Sequence, residues 1–394
     1  MDVKQIYSLV NTVSGEVLGK TDLVQDDLTG LVDLGKEVFN QNAVDNYVKS
    51  LVNHIGKVVF VNRPYSGKVP SVLMDAWEFG SVLEKISADV PQAEENDTWN
   101  LTDGTEYKQD VFHKPTVSAK FFNSKVTFEV PVSITERQVK ESFSSAEQMN
   151  GFLSMIYSAV EKSMTIKTDA LVMRTINNMI AETLDADKQA FGWVASTHEQ
   201  VDYSSASTVR CVNLLKLYNT KTGAHLTADV AVTTPDFIRF AAYQMGLYAD
   251  RLQTISTLFN VGGKERFTPK DVLHTVLLSD FAAAAKTYLY ADTFHSENVL
   301  LPQAETVASW QATGKDYAFA NVSKIDVKSA SGATVSVSGV LGVMFDRDAL
   351  GVTNLDKRVT TNYNAKAEFF NNYYKFDAGY FNDTNENFVV FFVA

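Results

Sequence analysis

Val126-Thr127-Phe128-Glu129-Val130-Pro131-Val132-Ser133-Ile134 sets Val126, Phe128, Val130, Val132 and Ile134 in strict alternation with Thr127, Glu129, Pro131 and Ser133. A period of two gives a β-strand one apolar face. Pro131 has no N–H for a ladder, so this strand belongs at a sheet edge or ends there. A second signal follows at once. Ser145 stands three residues before Gln148 in the form of a capping box, and no proline occurs between Pro131 and Pro235. Met149, Leu153, Ile156, Val160 and Met164, then Val172, Ile176 and Met179, keep helical spacing. The pattern predicts one helix over 145–184, a rod of about 60 Å, whose apolar stripe packs a core and holds no cofactor.

Upstream of the strand, Gln92 to Asp97 is polar and reads as an exposed loop tip. Residues 87–130 together predict a long β-hairpin or two-stranded arm. It has few residues for a core of its own, so it needs a partner. Residues 1–54, with Val44, Val48, Leu51 and Val52 at helical spacing, read as an amino-terminal arm ending in a helix, and Lys57–Phe60 is a short β-branched run. Downstream, a loop is expected over Asp185–Ser207 and an α+β lobe over 208–335, with a short strand at Ala228–Val232. Thr234-Pro235 and Thr268-Pro269 each have the form of a helix start. From Ser329 the chain turns β-rich through Val335, Val337, Val340 and Val343. It closes on Phe388-Val389-Val390-Phe391-Phe392-Val393, a run that predicts a buried strand.

The 394 residues are too many for one ordinary core, and 45% hydrophobic with 21% charged residues is globular composition. A net charge of −12 excludes a Lys/Arg surface of the kind that dominates sequence-independent nucleic-acid affinity. Cys211 is the single cysteine, so neither an intrachain disulfide nor a cysteine-based zinc site is possible, which fits a reducing compartment. No basic start followed by an apolar run opens the chain and no stretch is long and apolar enough for a membrane span, so neither export nor membrane insertion is expected. The Asn-x-Ser/Thr triplets at Asn96, Asn100, Asn321 and Asn382 read as chance.

Catalytic chemistry finds no local support. His54, His113, His198, His225, His274 and His295 are scattered singly. Gly262-Gly263-Lys264 fails as a phosphate loop, with Leu258 in place of the upstream glycine and Glu265 where Ser or Thr should ligate magnesium. No Gly-x-Ser-x-Gly elbow occurs, and Glu94-Glu95 lies in the polar tip as solvated charge. No residue is nominated as catalytic, cofactor-binding or metal-ligating, no cofactor is expected, and the chain is read as a structural protein rather than an enzyme.

Arm, long hairpin, rod helix, α+β insertion and β-rich return form an order that resembles the major capsid proteins of tailed phages, of the Hong Kong 97 type. Particular phrases carry the resemblance further: Trp77-Glu78-Phe79-Gly80-Ser81-Val82, Lys120-Phe121-Phe122, Phe128 to Ile134, Ala291-Asp292-Thr293-Phe294-His295 and, above all, Gly342-Val343-Met344-Phe345-Asp346-Arg347-Asp348-Ala349-Leu350-Gly351. The resemblance implies an α+β shell subunit. Residues 1–54 would be the arm, 55–86 and 131–207 a peripheral domain with spine helix 145–184, and 87–130 an extended loop lying over a neighbour. Residues 208–335 would be the axial domain and 336–394 the returning peripheral strands.

It also implies self-assembly into pentamers and hexamers of an icosahedral or prolate head around double-stranded DNA, inside the host bacterial cytoplasm. A separate scaffolding protein, a portal and a possible decoration protein are the expected partners. Some members of the family crosslink neighbours through Lys and Asn; Lys108, Lys114, Lys120 and Lys125 lie in or near the loop, although lysine is common in any hairpin. An encapsulin-like nanocompartment shell shares these patterns. A cytosolic enzyme with a site built from distant residues stays open, and the long helix argues against an all-β tail protein.

Overall fold

The computed structural model describes residues 3–20, 34, 46, 69–74, 83–107, 110, 112–135, 146–191, 203–204, 206–290, 304–311 and 316–394. The expected helix at Val44–Val52 (apart from Asn46), the run Lys57–Phe60, the phrases Trp77–Val82 and Ala291–His295 and the cap Ser145 lie outside the described residues. The elements are α1 (Val3–Leu18), β1 (Leu73–Met74), β2 (Leu83–Ala88), β3 (Val117–Phe122), β4 (Lys125–Thr135), α2 (Ala146–Phe191), β5 (Cys211–Asn213), α3 (Leu214–Thr222), α4 (Ala228–Ala231) and α5 (Pro235–Arg251). There follow β6 (Leu273–Leu278), α6 (Ser279–Tyr290), β7 (Ala304–Val307), α7 (Phe319–Val322), β8 (Ile325–Lys328), β9 (Thr334–Val337), β10 (Val340–Asp346), β11 (Leu350–Asn364), β12 (Phe369–Asn382) and β13 (Phe388–Phe392). No described helix is long and apolar enough to cross a membrane.

Two compact units divide the chain. The first comprises Met1–Tyr65, Val130–Ser163 and Val359–Tyr374. Within it α1 buries Val10 and Val13, and the Ser14 hydroxyl donates to the Val10 carbonyl at 2.7 Å. Tyr157 meets Tyr374 edge-on at 6.2 Å, and the Ser133 hydroxyl donates to Asn371 Oδ1 at 2.5 Å.

The second unit is built on a five-stranded sheet in the order β5-β13-β10-β6-β7. In β13, Phe388, Val390 and Phe392 enter one core cluster while Val389 and Phe391 enter another. That explains why the run is apolar throughout: both faces of the strand are covered. On one face lie Leu171, Val172, Ile176, Met179, Ile180 and Leu184 of α2 with Trp310. On the other lie Leu214, Phe237, Ile238, Ala241, Met245 and Phe281 of α3, α5 and α6. Trp310 donates its indole N–H to the Val340 carbonyl at 2.8 Å, so the largest buried ring brings no unsatisfied donor. Thr175 and Thr183 on α2 return their hydroxyls to the carbonyls of Leu171 and Met179, both at 2.8 Å, which lets a helix buried on most sides carry polar residues.

The alternating stretch forms β4, one residue longer at each end than Val126–Ile134. It stands at the edge of a second sheet, in the order β1-β11-β12-β4, where Pro131 is tolerated. The helix runs from Ala146 to Phe191, 46 residues or about 70 Å, and overruns the loop expected at Asp185–Ser207. The cause is long-range. Asp185 accepts hydrogen bonds from Ser329 at 3.0 Å and Ser331 at 2.7 Å, and Asp187 accepts from Arg210 Nε at 3.0 Å, so residues that read as solvated tie the last turns to the body.

Two further expectations are corrected. Ala228–Val232 is not a strand: residues 228–231 make one helical turn, with Thr227 in the extended N-cap conformation and Ala231 buried. Two alanines favour that turn and Asp229 suits its first turn, while five residues are too few to separate the two periods. Thr234-Pro235 does open α5, with proline in the first turn. Thr268-Pro269 opens no helix. The Thr268 hydroxyl points inward, donating to Asp346 Oδ2 at 2.8 Å and accepting from Asn387 Nδ2 at 3.1 Å, and a turn from Pro269 to Val272 leads into β6.

Candidate assembly surface

β2 and β3 pair antiparallel from Leu83↔Phe122 to Ala88↔Val117 and make a sheet of two strands. The hairpin expected over 87–130 therefore uses Val117–Phe122 as its second strand, while β4 pairs with β12. Its two faces are reversed relative to an ordinary surface hairpin. Leu83, Lys85 and Ser87 with Ser118, Lys120 and Phe122 are the half-buried face; Glu84, Ile86 and Ala88 with Val117, Ala119 and Phe121 are exposed. Ile86 is 66% and Phe121 63% exposed. An apolar face in water beside a charged face turned inward is costly for an isolated subunit.

The connection between the strands carries more of the same. Trp99 is 94% and Phe112 87% exposed, with Leu101 and Tyr107 also outside. The loop has local order: Asn96 Oδ1 accepts from the Thr98 N–H at 2.9 Å, and the Tyr107 hydroxyl accepts from the Thr102 N–H at 3.0 Å. Large aromatic side chains of this kind are enriched among the residues that dominate protein interfaces.

The inward lysines stand directly opposite each other at Lys85↔Lys120 and would repel. Asp383, its side chain 4% exposed, lies between them. Lys85 Nζ donates to Asp383 Oδ2 at 2.9 Å, to the Asp348 carbonyl at 2.8 Å and to Glu386 Oε1 at 3.4 Å. Lys120 Nζ donates to Asp383 Oδ1 at 3.0 Å and to Thr384 Oγ1 at 3.4 Å. Burial alone would raise the Asp383 pKa. Hydrogen bonds and charge from Lys85, the hydrogen bond from Lys120 and the Asn385 N–H outweigh it, holding the carboxyl below the usual range. Phe122 packs on Phe381 with ring centroids 5.1 Å apart, and Lys264 meets Asp89 at 3.0 Å.

Sequence-nominated positions fall as follows. Gly262-Gly263-Lys264 shapes a structural loop: the Lys264 N–H donates to Asn260 Oδ1 at 2.8 Å, Gly263 has φ +64°, and Gly262 packs against Asn385. Glu94, Glu95, His113 and His225 are exposed, and His274 stacks on Phe345 at 5.6 Å. Of the four lysines, Lys114 and Lys125 are exposed, Lys120 is committed to Asp383, and Lys108 lies outside the described residues. The sequence reading missed Asp383 and Glu386. Asn382-Asp383-Thr384-Asn385-Glu386-Asn387 shows only a polar turn between two apolar strands, and nothing local tells that lysines some 260 positions upstream in the sequence (263 for Lys120, 298 for Lys85) complete it.

The sequence pattern of the Phi29-like phage major capsid protein family matches residues 8–392. No curated protein matches the chain. A chain of the capsid structure of Staphylococcus phage Andhra aligns at 8% identity over 86% of this chain and 87% of its own, with a TM-score of 0.53. A chain of the structure described as head fiber and inner core protein gp22 of native bacteriophage P68 aligns at 8% identity over 86% and 88%, with a TM-score of 0.51. Identity this low speaks to the fold, and the family match speaks to the lineage. A hairpin that offers its apolar side to water is what a subunit made to be covered by its neighbours requires, and the chain belongs to the Phi29-like phage major capsid protein family, as a head shell protein with the Hong Kong 97 type of capsid fold.

Proposed function

We propose that this chain closes a phage head around double-stranded DNA through repeated contacts between identical subunits, without catalysing a reaction. The observation that carries the proposal is the reversed hairpin: Ile86, Val117 and Phe121 face out while Lys85 and Lys120 face in. In this reading 87–130 is the extended loop, which the pairing of β2 with β3 carries back to Leu83 out of the segment 55–86; it is laid with its apolar side on a neighbouring copy, and 1–54 is the arm. Residues 55–86 and 131–207, with the spine helix, form the peripheral domain. Residues 208–335 are the axial domain around capsomer centres, and 336–394 return to the periphery. Contacts that are heterologous close into rings of five and six. The net charge of −12 supports enclosure of DNA without adhesion to it.

A separate scaffolding protein, a portal and a decoration protein are the partners this reading adds, with assembly in the host cytoplasm. Velocity sedimentation of the expressed chain, alone and with its scaffolding partner, tests it. A fast-sedimenting fraction that appears only with intact chain is the expected result. A homogeneous monomer or dimer across salt and crowding conditions, with or without the partner, overturns it.

A further inference from the structure

The hairpin is attached to its own body chiefly by charge. Its inner face offers two ammonium groups and two serines along most of its length, with Leu83 and Phe122 only at the base. Both ammonium groups converge on one carboxylate, one on each oxygen. That carboxylate is fixed: the Asp383 N–H donates to the Ala349 carbonyl at 2.7 Å, and Oδ1 also accepts the Asn385 N–H at 3.1 Å. Arg266 Nε approaches Glu386 at 3.3 Å, so the same turn is braced from a second side. The lysines are the movable half, on flexible four-carbon stems with side chains 22% and 37% exposed.

We propose that Asp383 is a positioning residue for shell assembly, an ionic latch that orients the hairpin on its own subunit and is released and remade as the hairpin meets a neighbour. This rests on the shell reading above. An apolar seat would lose its whole buried area whenever the hairpin left it. Partly exposed lysines exchange the carboxylate for water, and Asp383 is itself uncovered to water as the hairpin lifts, so no buried charge is stranded. The latch is directional, because two opposed lysines satisfy both oxygens of one rigid acid in a single arrangement. It is also salt-sensitive, because its cations border solvent.

Amide hydrogen exchange on the full-length, unassembled chain tests the latch, comparing β2 and β3 with β10 and β13. Raising salt to about 1 M, where the screening length falls to about 3 Å, speeds exchange in the hairpin roughly tenfold, the scale of one hydrogen bond to a charged group. The central strands are unaffected. Asp383→Asn shows the raised hairpin exchange already at low salt and has a smaller salt response, the part that remains coming from the Lys85–Glu386 and Lys264–Asp89 pairs. Should that variant fail to fold, Lys85→Gln, which leaves Asp383 paired with Lys120, is expected to give a smaller rise confined to the hairpin.

Three results overturn the latch: a salt-insensitive hairpin in the wild-type chain, wild-type hairpin protection in Asp383→Asn, or equal loss of protection in hairpin and central strands. Shell formation by the wild-type chain, imaged in parallel, keeps the two claims apart. Shells with a salt-insensitive hairpin overturn the latch alone; a salt-released hairpin in a chain that never assembles overturns the shell reading.

Discussion

Asp187 shows what single residues contribute. It is fully buried and accepts from Arg210, whose side chain is 16% exposed, and from the Thr208 hydroxyl, which it holds in close contact. Removing one partner of a buried pair strands the other charge, so Asp187→Ala is expected to cost about 3–5 kcal/mol in denaturant unfolding. Its neighbour Cys211 is fully buried at the start of β5, where loss of solvation, and then the Asp187 charge, push the thiol well above its ordinary range. A thiol reagent at pH 8 is expected to leave the native chain unlabelled and to label it once it is unfolded. Gly339 has φ +83°, and an added Cβ would run into the Val393 carbonyl oxygen. Gly339→Ala is expected to destabilise the chain by about 2 kcal/mol or more on thermal unfolding.

Among elements, legibility tracked the range of the forces involved. The strand at Val126–Ile134 and the helix from Met149 onward are written in periodicity and the terminal strand in the unbroken apolar run Phe388–Val393, all properties of neighbouring residues, and the structure contains all three. The end of α2 was not legible, because Asp185 and Asp187 read as solvent-facing until Ser329, Ser331 and Arg210 are brought to them. Thr234-Pro235 and Thr268-Pro269 are the same local signal with different outcomes, since only the second threonine meets a buried Asp346. The hairpin was legible as an element without a core. The direction of its faces was not, because alternation gives two faces and does not say which is inward.

The anchor of that hairpin carries a pH dependence. Asp383 has its folded pKa held below the unfolded value, so the stability it contributes is present above about pH 4 and is lost as pH falls through the lower, folded value. Acid titration followed by hairpin exchange is expected to show that loss, and Asp383→Asn is expected to remove it.

At the scale of the whole molecule, the second unit holds a sheet with both faces covered, while Ile86, Val117, Phe121, Trp99 and Phe112 remain in water. The separation predicts that folding and assembly respond to different substitutions. Phe121→Ser and Ile86→Ser are expected to change the unfolding free energy of the single subunit by no more than about 0.5 kcal/mol, as exposed positions do, while abolishing large particles in sedimentation. Phe391→Ala, in the closed core, is expected to cost about 3–5 kcal/mol and to remove the soluble subunit itself.

The most direct measurement is an electron cryomicroscopy reconstruction of the fast-sedimenting particles. The expected map shows closed shells of five- and six-membered rings in which the Ile86, Val117 and Phe121 side of each hairpin lies against an adjacent copy. Shells in which that side faces solvent, or a chain that yields only single subunits and small oligomers, would contradict the account.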